Sequence, residues 1–338
     1  MIVISVIIGD SPAMIKKVMF IISLINVLTL LNGCISINGS RRADLYHHVK
    51  QAAVEIIVDG HLEGSGWFAD PKGYVITAAH AVSRTNTAIE VLSESRGRLQ
   101  AEIVASDRGH DVALLLVKGG TKPFPFLEIA GTIPKPEDTI YLYGTALYNH
   151  GIMLGGTVAR DGTTFTYYTD RKMLVRCYHV TSPSPPGTSG GPWVDRHGLV
   201  VGNQSGFITH NGSGAGIAIV APPNAIKRLV ASRKSIPTPT IGCGLEELWT
   251  QSPGFIKRFP KGTEGVITIP IDKDGPVDVA GLNTESLIVS VEGKAIRYKD
   301  DLYRVAHDRR PGDIINVKVM DPDKTIQRNV QIKLGSFK

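Results

Sequence analysis

Cysteine is scarce in this 338-residue chain, with only Cys34, Cys177 and Cys243. No two of them stand at metal-ligand spacing and no His-Glu-x-x-His run occurs, which argues against a zinc centre. Three thiols also cannot build a disulfide framework, so Cys177 and Cys243 either form one bridge or stay two buried thiols. Aromatic residues make up 7% of the chain, whereas glycine (36) and proline (20) are plentiful. That balance calls for many turns and an all-β character. The net charge of +6 is spread out, its densest groups being the pairs Lys16-Lys17, Arg41-Arg42 and Arg309-Arg310. A dispersed charge is a solvated surface, and nucleic acid is not an expected partner. The glycine-rich run Asn211–Gly216 lacks the Gly-Lys-Ser/Thr ending of a phosphate loop, and no cofactor is expected.

Long apolar runs are equally rare. One, Val18–Leu31, follows Lys16-Lys17 and is short for a bilayer span, which fits a signal-peptide core within residues 1–33. It ends in Leu31-Asn32-Gly33-Cys34. This resembles a bacterial lipobox except at Asn32, and implies lipidation of Cys34 and attachment to a membrane through the N-terminus. A helical anchor and an ordinary cleaved signal are the alternatives. All three place the protein in the cell envelope, facing the periplasm or exterior. Residues 34–48 read as a polar tether.

From 49 to 233 short apolar runs recur between Gly, Pro, Asn and Asp. Ala53–Val58, Tyr74–Thr77, Ala101–Val104, Val112–Val117, Thr139–Tyr143, Leu174–Tyr178 and Leu199–Val201 are expected strands of a barrel or sandwich. A helix is expected near 223–233, capped by Asn224. The two prolines of 234–239 mark a linker, and 240–338 alternates strand and helix as a second domain.

Within this frame one set of residues carries chemistry. Gly187-Thr188-Ser189-Gly190-Gly191-Pro192 surrounds a serine with glycines. Serine attacks a carbonyl only when a base takes its proton and N–H groups hold the oxyanion; the Gly187 and Ser189 N–H groups are the natural pair. His80 ends the strand run 74–77 and Asp111 begins the run 112–117, supplying base and orienting carboxylate in the order His, Asp, Ser. Asp107 lies in a polar loop, and His110 is expected to be solvated.

Four motifs in this order resemble the HtrA (Deg) proteases. They are Glu63–Phe68 with Gly73–His80, Ser106–Leu115, Gly187–Pro192 and Gly214–Ile219. The resemblance covers about 49–335 and implies a mainly β fold: a chymotrypsin-like double β-barrel over 49–233, then an α+β PDZ domain over 240–338. It implies a serine endopeptidase acting on unfolded or damaged proteins, with no metal or organic cofactor, and family members that are often trimers. Pro183, six residues before Ser189, would floor the primary pocket, with Ile217, Ala218 and Ile219 as its apolar wall. Ile241-Gly242-Cys243 resembles the PDZ loop that holds a peptide's C-terminal carboxylate, opposite a helix presenting Leu302 and Val305. Asp300 would cap that helix. Glu285-Ser286 stand where the family usually has Gly-Asp. The rival function is a catalytically silent, membrane-anchored PDZ scaffold, which the intact His-Asp-Ser set disfavours.

Overall fold

The computed structural model describes residues 44–84, 86–120, 122–168, 173–210 and 213–337. Val18–Leu31 and Cys34 lie outside these residues. A helix, α1, spans 44–52. Six strands then close a barrel: β1 (Ala53–Val58), β2 (His61–Phe68), β3 (Tyr74–Thr77), β4 (Ile89–Ser93), β5 (Gly97–Asp107) and β6 (Val112–Val117). Their order is β1-β2-β3-β6-β5-β4. Val54, Ile56, Phe68, Val75, Val91 and Leu115 fill the interior. Asp59 (φ 51°) and Gly60 (φ 82°) form the two-residue turn between β1 and β2, the left-handed pairing that suits strand twist.

The second barrel uses β7 (Thr139–Ala146), β8 (Asn149–Val158), β9 (Thr164–Tyr168), β10 (Met173–Thr181), β11 (Pro192–Val194), β12 (Val200–His210) and β13 (Ser213–Ala221). The sheet runs β13-β12-β11-β7-β8-β10-β9, and pairing of β13 with β10 closes it, leaving β9 as a flap. Leu142, Tyr178, Val180, Trp193 and Val220 are its core. The barrels are tied by buried polar bonds: Trp67 Nε1 of β2 donates to Asn203 Oδ1 of β12 at 3.1 Å. Helix α2 (Pro223–Ser232) follows. Its cap is Pro222 rather than Asn224, whose side chain bonds the adjacent Ala225 N–H; Pro223 at the first position starts the helix instead.

The C-terminal part consists of β14 (Pro239–Thr240), β15 (Cys243–Glu247), α3 (Pro253–Ile256), β16 (Val266–Ile271), α4 (Pro276–Val279), β17 (Leu287–Val291), β18 (Lys294–Ala295), α5 (Lys299–His307), β19 (Ile314–Met320), β20 (Gln327–Lys333) and β21 (Gly335–Ser336). The sheet β15-β16-β17-β19-β20 packs on α5 through Leu302 and Ala306. Helix α5 is capped at Tyr298, with the Asp301 carboxylate accepting from the Tyr298 N–H. Asp300, the expected cap, instead accepts from Thr164 Oγ1 of β9 at 2.6 Å. Glu285 occupies φ 77°, where the family's glycine would sit without strain. Cys177 and Cys243 are separate thiols; burial pushes Cys177 up to about 12 and also raises Cys243.

Residues 234–239 lie against the first barrel: Ile236 N–H donates to Ser106 O at 2.9 Å and Ser106 N–H to Ser235 Oγ at 3.1 Å. The turn between β5 and β6 is covered too. Asp107, expected in a polar loop, ends β5 and is 1% exposed, and His110, expected to be solvated, is 5% exposed. The reason is tertiary cover. Arg228 of α2 reaches Asp107 Oδ2 at 2.9 Å, and His307 of α5 packs edge-on against the His110 ring at 4.9 Å. His110 Nδ1 meets Asp107 Oδ2 at 3.0 Å, and the paired charges outweigh burial to keep Asp107 below the ordinary carboxylate range. His307 Nε2 donates to Gly109 O at 3.2 Å, fixing the tautomer of this ring.

Burial, reinforced by His110, lowers the His307 pKa from 6.5 to about 4. The unfolded chain therefore takes up this proton first. Folding stability contributed by neutral His307 is complete above pH 6.5 and is lost as pH falls toward 4. His307→Gln should flatten the decline in urea midpoint between pH 7.5 and 4.5 relative to wild type. Parallel declines in the two proteins would contradict this.

Candidate active site

The register of β3 against β6 pairs Thr77 with Ala113. The 3-10 turn Ala79–Val82 at the end of β3 is thereby brought to Asp111 at the start of β6. The Asp111 carboxylate is 0% exposed, and every donor around it is fixed by the fold. His80 N–H donates to Oδ1 at 2.9 Å, and His80 Nδ1 donates to Oδ2 at 2.7 Å. Ser205 Oγ of β12 donates to Oδ2 at 2.5 Å. Burial alone would raise the Asp111 pKa, but the charge of His80 and these hydrogen bonds outweigh it and hold the carboxylate below its usual range. Asp111 itself adopts φ 56°, which aspartate tolerates better than most residues. With Nδ1–H engaged by Asp111, the neutral form of the His80 ring carries its lone pair on Nε2, where a base needs it.

Ser189 comes from the loop between β10 and β11. Glycines are forced there by close backbone approach. A Cβ on Gly187 (φ 91°) would lie 2.1 Å from Thr145 O, and one on Gly190 (φ 85°) 2.2 Å from Ser65 O. The first barrel grips the loop: Ser65 N–H donates to Ser189 O at 2.7 Å and Ser65 Oγ to Gly187 O at 2.8 Å. The second barrel grips it through Leu147 N–H, which donates to Pro186 O at 2.9 Å. In a trans peptide the C=O and N–H point opposite ways, so holding Pro186 O aims Gly187 N–H away from Leu147. Neither Gly187 N–H nor Ser189 N–H donates to an acceptor among the described residues. Ser189 Oγ donates to Ser205 O at 3.3 Å rather than to His80 Nε2.

Beside His80 opens a cleft of about 940 Å³, lined also by Ser106, Arg108 and Met173. Pro183 is exposed. Of the expected wall, only Ile217 is partly accessible. Ala218 and Ile219 are 0% and 1% exposed and lie in two different core clusters, Ala218 with Trp193 and Val220 and Ile219 with Met173 and Val175. The adjacent Ser184 is buried with its Oγ unpaired among the described residues.

Reading the sequence missed Ser205 and Ser65. Both are isolated serines whose roles depend on which barrel they face. Of the remaining candidates, Ile241, Cys243, Leu302 and Val305 gather in one cluster between β15 and α5, and Gly242 joins Ile241 to Cys243 in the chain. Ile241 and Leu302 are buried, and Gly242 N–H is taken by Thr240 Oγ1 at 3.0 Å. Phe165 of β9 enters the same cluster and packs against Tyr303 at 5.7 Å.

The model of the trypsin-like peptidase domain matches residues 64–202, the stretch that carries all three residues of the set. Curated relatives include the probable periplasmic serine endoproteases DegP-like of Rickettsia conorii and Ectopseudomonas mendocina. The first is 22% identical over 80% of this chain and 53% of the relative; the second is 25% identical over 81% and 56%. The chain thus spans about half the length of these relatives. Among solved structures, the HtrA-type protease AlgW with decapeptide covers 88% of this chain and 98% of its own, with a TM-score of 0.65 and 16% identity. The serine endoprotease from Yersinia pestis covers 87% and 97%, at 0.59 and 20% identity. The fold is that of these HtrA-type proteases, and residues 64–202 are similar to the trypsin-like peptidase domain. Within that class the chain is similar to the DegP-like endoproteases and the HtrA-type protease AlgW.

A hydrogen bond to a charged group contributes about 1.5–3 kcal/mol, so Ser205→Ala should lower kcat/KM for peptide hydrolysis by about 10- to 100-fold with the fold intact by circular dichroism. A loss below twofold would mean that Asp111 is held without Ser205.

Proposed function

We propose that the chain is a serine endopeptidase of the cell envelope that cleaves unfolded or damaged proteins. The observation that carries this reading is the buried Asp111 carboxylate locking His80 beside the glycine-framed Ser189 loop. In the reaction, His80 Nε2 takes the Ser189 Oγ proton as Oγ bonds the substrate carbonyl carbon. The resulting oxyanion accepts from Gly187 N–H and Ser189 N–H. Collapse breaks the C–N bond, and His80 returns the proton to the departing amine. Water then repeats the sequence on the acyl-enzyme and frees Ser189. A rotation of Ser189 from Ser205 O toward His80 precedes attack, since catalytic hydrogen bonds tighten only once substrate is present.

Pro183 at the pocket floor brings no carboxylate to pair a substrate Lys or Arg, and Ile217 adds apolar surface. Cleavage after Val, Ala or Ile follows from that environment. The C-terminal domain is the docking site for extended C-terminal peptides along the β15 edge. The aromatic ring of Phe165 occupies the apolar cluster such a peptide would enter, so binding there requires β9 to yield. The envelope location rests on the periplasmic relatives and on the charged start and apolar core of the first 33 residues.

Digestion of casein followed by mass spectrometry tests the reading. Ser189→Ala should retain the fold and lose about 10⁶-fold in turnover, and most wild-type cuts should follow small or branched aliphatic residues. Undiminished cleavage by Ser189→Ala would reject the mechanism; a majority of cuts after Lys or Arg would reject the pocket assignment.

A further inference from the structure

The turn joining β7 to β8 breaks two rules at once. Ala146 pairs with Asn149, leaving the two-residue turn Leu147-Tyr148, with φ of 49° and 61°. Such turns favour Asn-Gly or Asp-Gly, because a Cβ and a bulky side chain are disfavoured in the left-handed region. The turn between β1 and β2 in this same chain obeys the rule with Asp59-Gly60. Leu147 and Tyr148 also pack on little: they are 60% and 76% exposed, among the most exposed large apolar residues described.

The surrounding structure fixes this conformation. Asn149 Nδ2 donates to both Ala146 O and Leu147 O at 3.1 Å. Glu55 of the first barrel accepts from Thr145 Oγ1 at 2.6 Å and pairs with His150 on the other side of the turn. The backbone of the turn has a task, since Leu147 N–H holds Pro186 O and so orients the Gly187 N–H. That task needs no side chain, and Asn-Gly would perform it with less strain. The bulky, water-facing side chains therefore call for a second explanation, and a strained conformation maintained by its surroundings points to function.

We propose that Leu147 and Tyr148 form a subsite for an aromatic or branched aliphatic side chain of the substrate flanking the scissile bond. Continuity with the site identifies the occupant: the turn is one hydrogen bond from the peptide that presents Gly187 N–H to the reacting carbonyl. The inference rests on Ser189 being the nucleophile.

The test uses internally quenched peptides that differ only in carrying Leu, Phe or Gly at each position flanking the cleaved bond. Cleavage by wild type that disappears in Ser189→Ala secures the underlying reading independently. The variant Leu147→Asn/Tyr148→Gly is then compared with wild type. The melting temperature should rise by a few degrees, because Asn-Gly suits the turn. At one flanking position or more, the kcat/KM preference for Leu or Phe over Gly should fall about fivefold or more. An unchanged preference with a raised melting temperature would overturn the proposal. A lowered melting temperature would mean that the two side chains serve the fold, and would overturn it as well. A change in oligomeric state by sedimentation with preference unchanged would assign the turn to a contact between copies and likewise reject the subsite.

Discussion

A carboxylate with no access to water must be surrounded by donors, and Asp111 is the clearest case in this protein. Removing one donor would weaken the compensation of a buried charge, at about the 1.5–3 kcal/mol of a hydrogen bond to a charged group. His80 supplies a backbone and a side-chain donor from the end of β3, and Ser205 supplies a third from the second barrel. Satisfying one buried charge therefore fixes the His80 tautomer, the β3–β6 register and the approach of the two barrels. Ser65 extends the constraint, since its hydroxyl donates to Gly187 O and accepts from Thr145 N–H. The loop bearing Ser189 is thus clamped from both barrels before substrate arrives, which is the preorganisation that an oxyanion site needs.

The acid-bearing turn also joins the protease barrels to the C-terminal sheet. Residues 107–110 bond to α2 and to α5, and the 234–239 segment is bonded to Ser106 beside them. Helix α5 therefore touches the same turn that positions Asp111. Phe165 and Thr164 of β9 contact α5 from the other side. Strand β9 continues to Tyr168, whose hydroxyl lies 2.9 Å from Ser205 Oγ. Two chains of contacts, one through His307 and one through β9, therefore run from α5 to the residues around Asp111.

Much of this was legible in the sequence because it depends on local chemistry. Ala53–Val58, Tyr74–Thr77 and Val112–Val117 are strands over the expected residues, since aliphatic runs bounded by Gly and Asp have few alternatives. The meeting of His80 and Asp111 follows from chain order once a barrel is assumed. Long-range cover was illegible. Nothing adjacent to His110 announces His307, far along the chain, so a polar loop reads as solvated when it is buried. Ala218 and Ile219 read as pocket wall because the strand was identified without its packing; core clusters cover both of its faces there. Asn224 and Asp300 have the chemistry of caps but lost that role to neighbours with better backbone geometry.

On the proposed mechanism, His80 and Asp111 activate Ser189 alone among the serines of this chain. A fluorophosphonate probe reports this directly, because it phosphonylates an activated serine and spares ordinary hydroxyls. Peptide mapping of the labelled protein should find one modified residue, Ser189, with labelling abolished in His80→Ala. Label on another serine, or labelling of Ser189 undiminished by His80→Ala, would contradict the account.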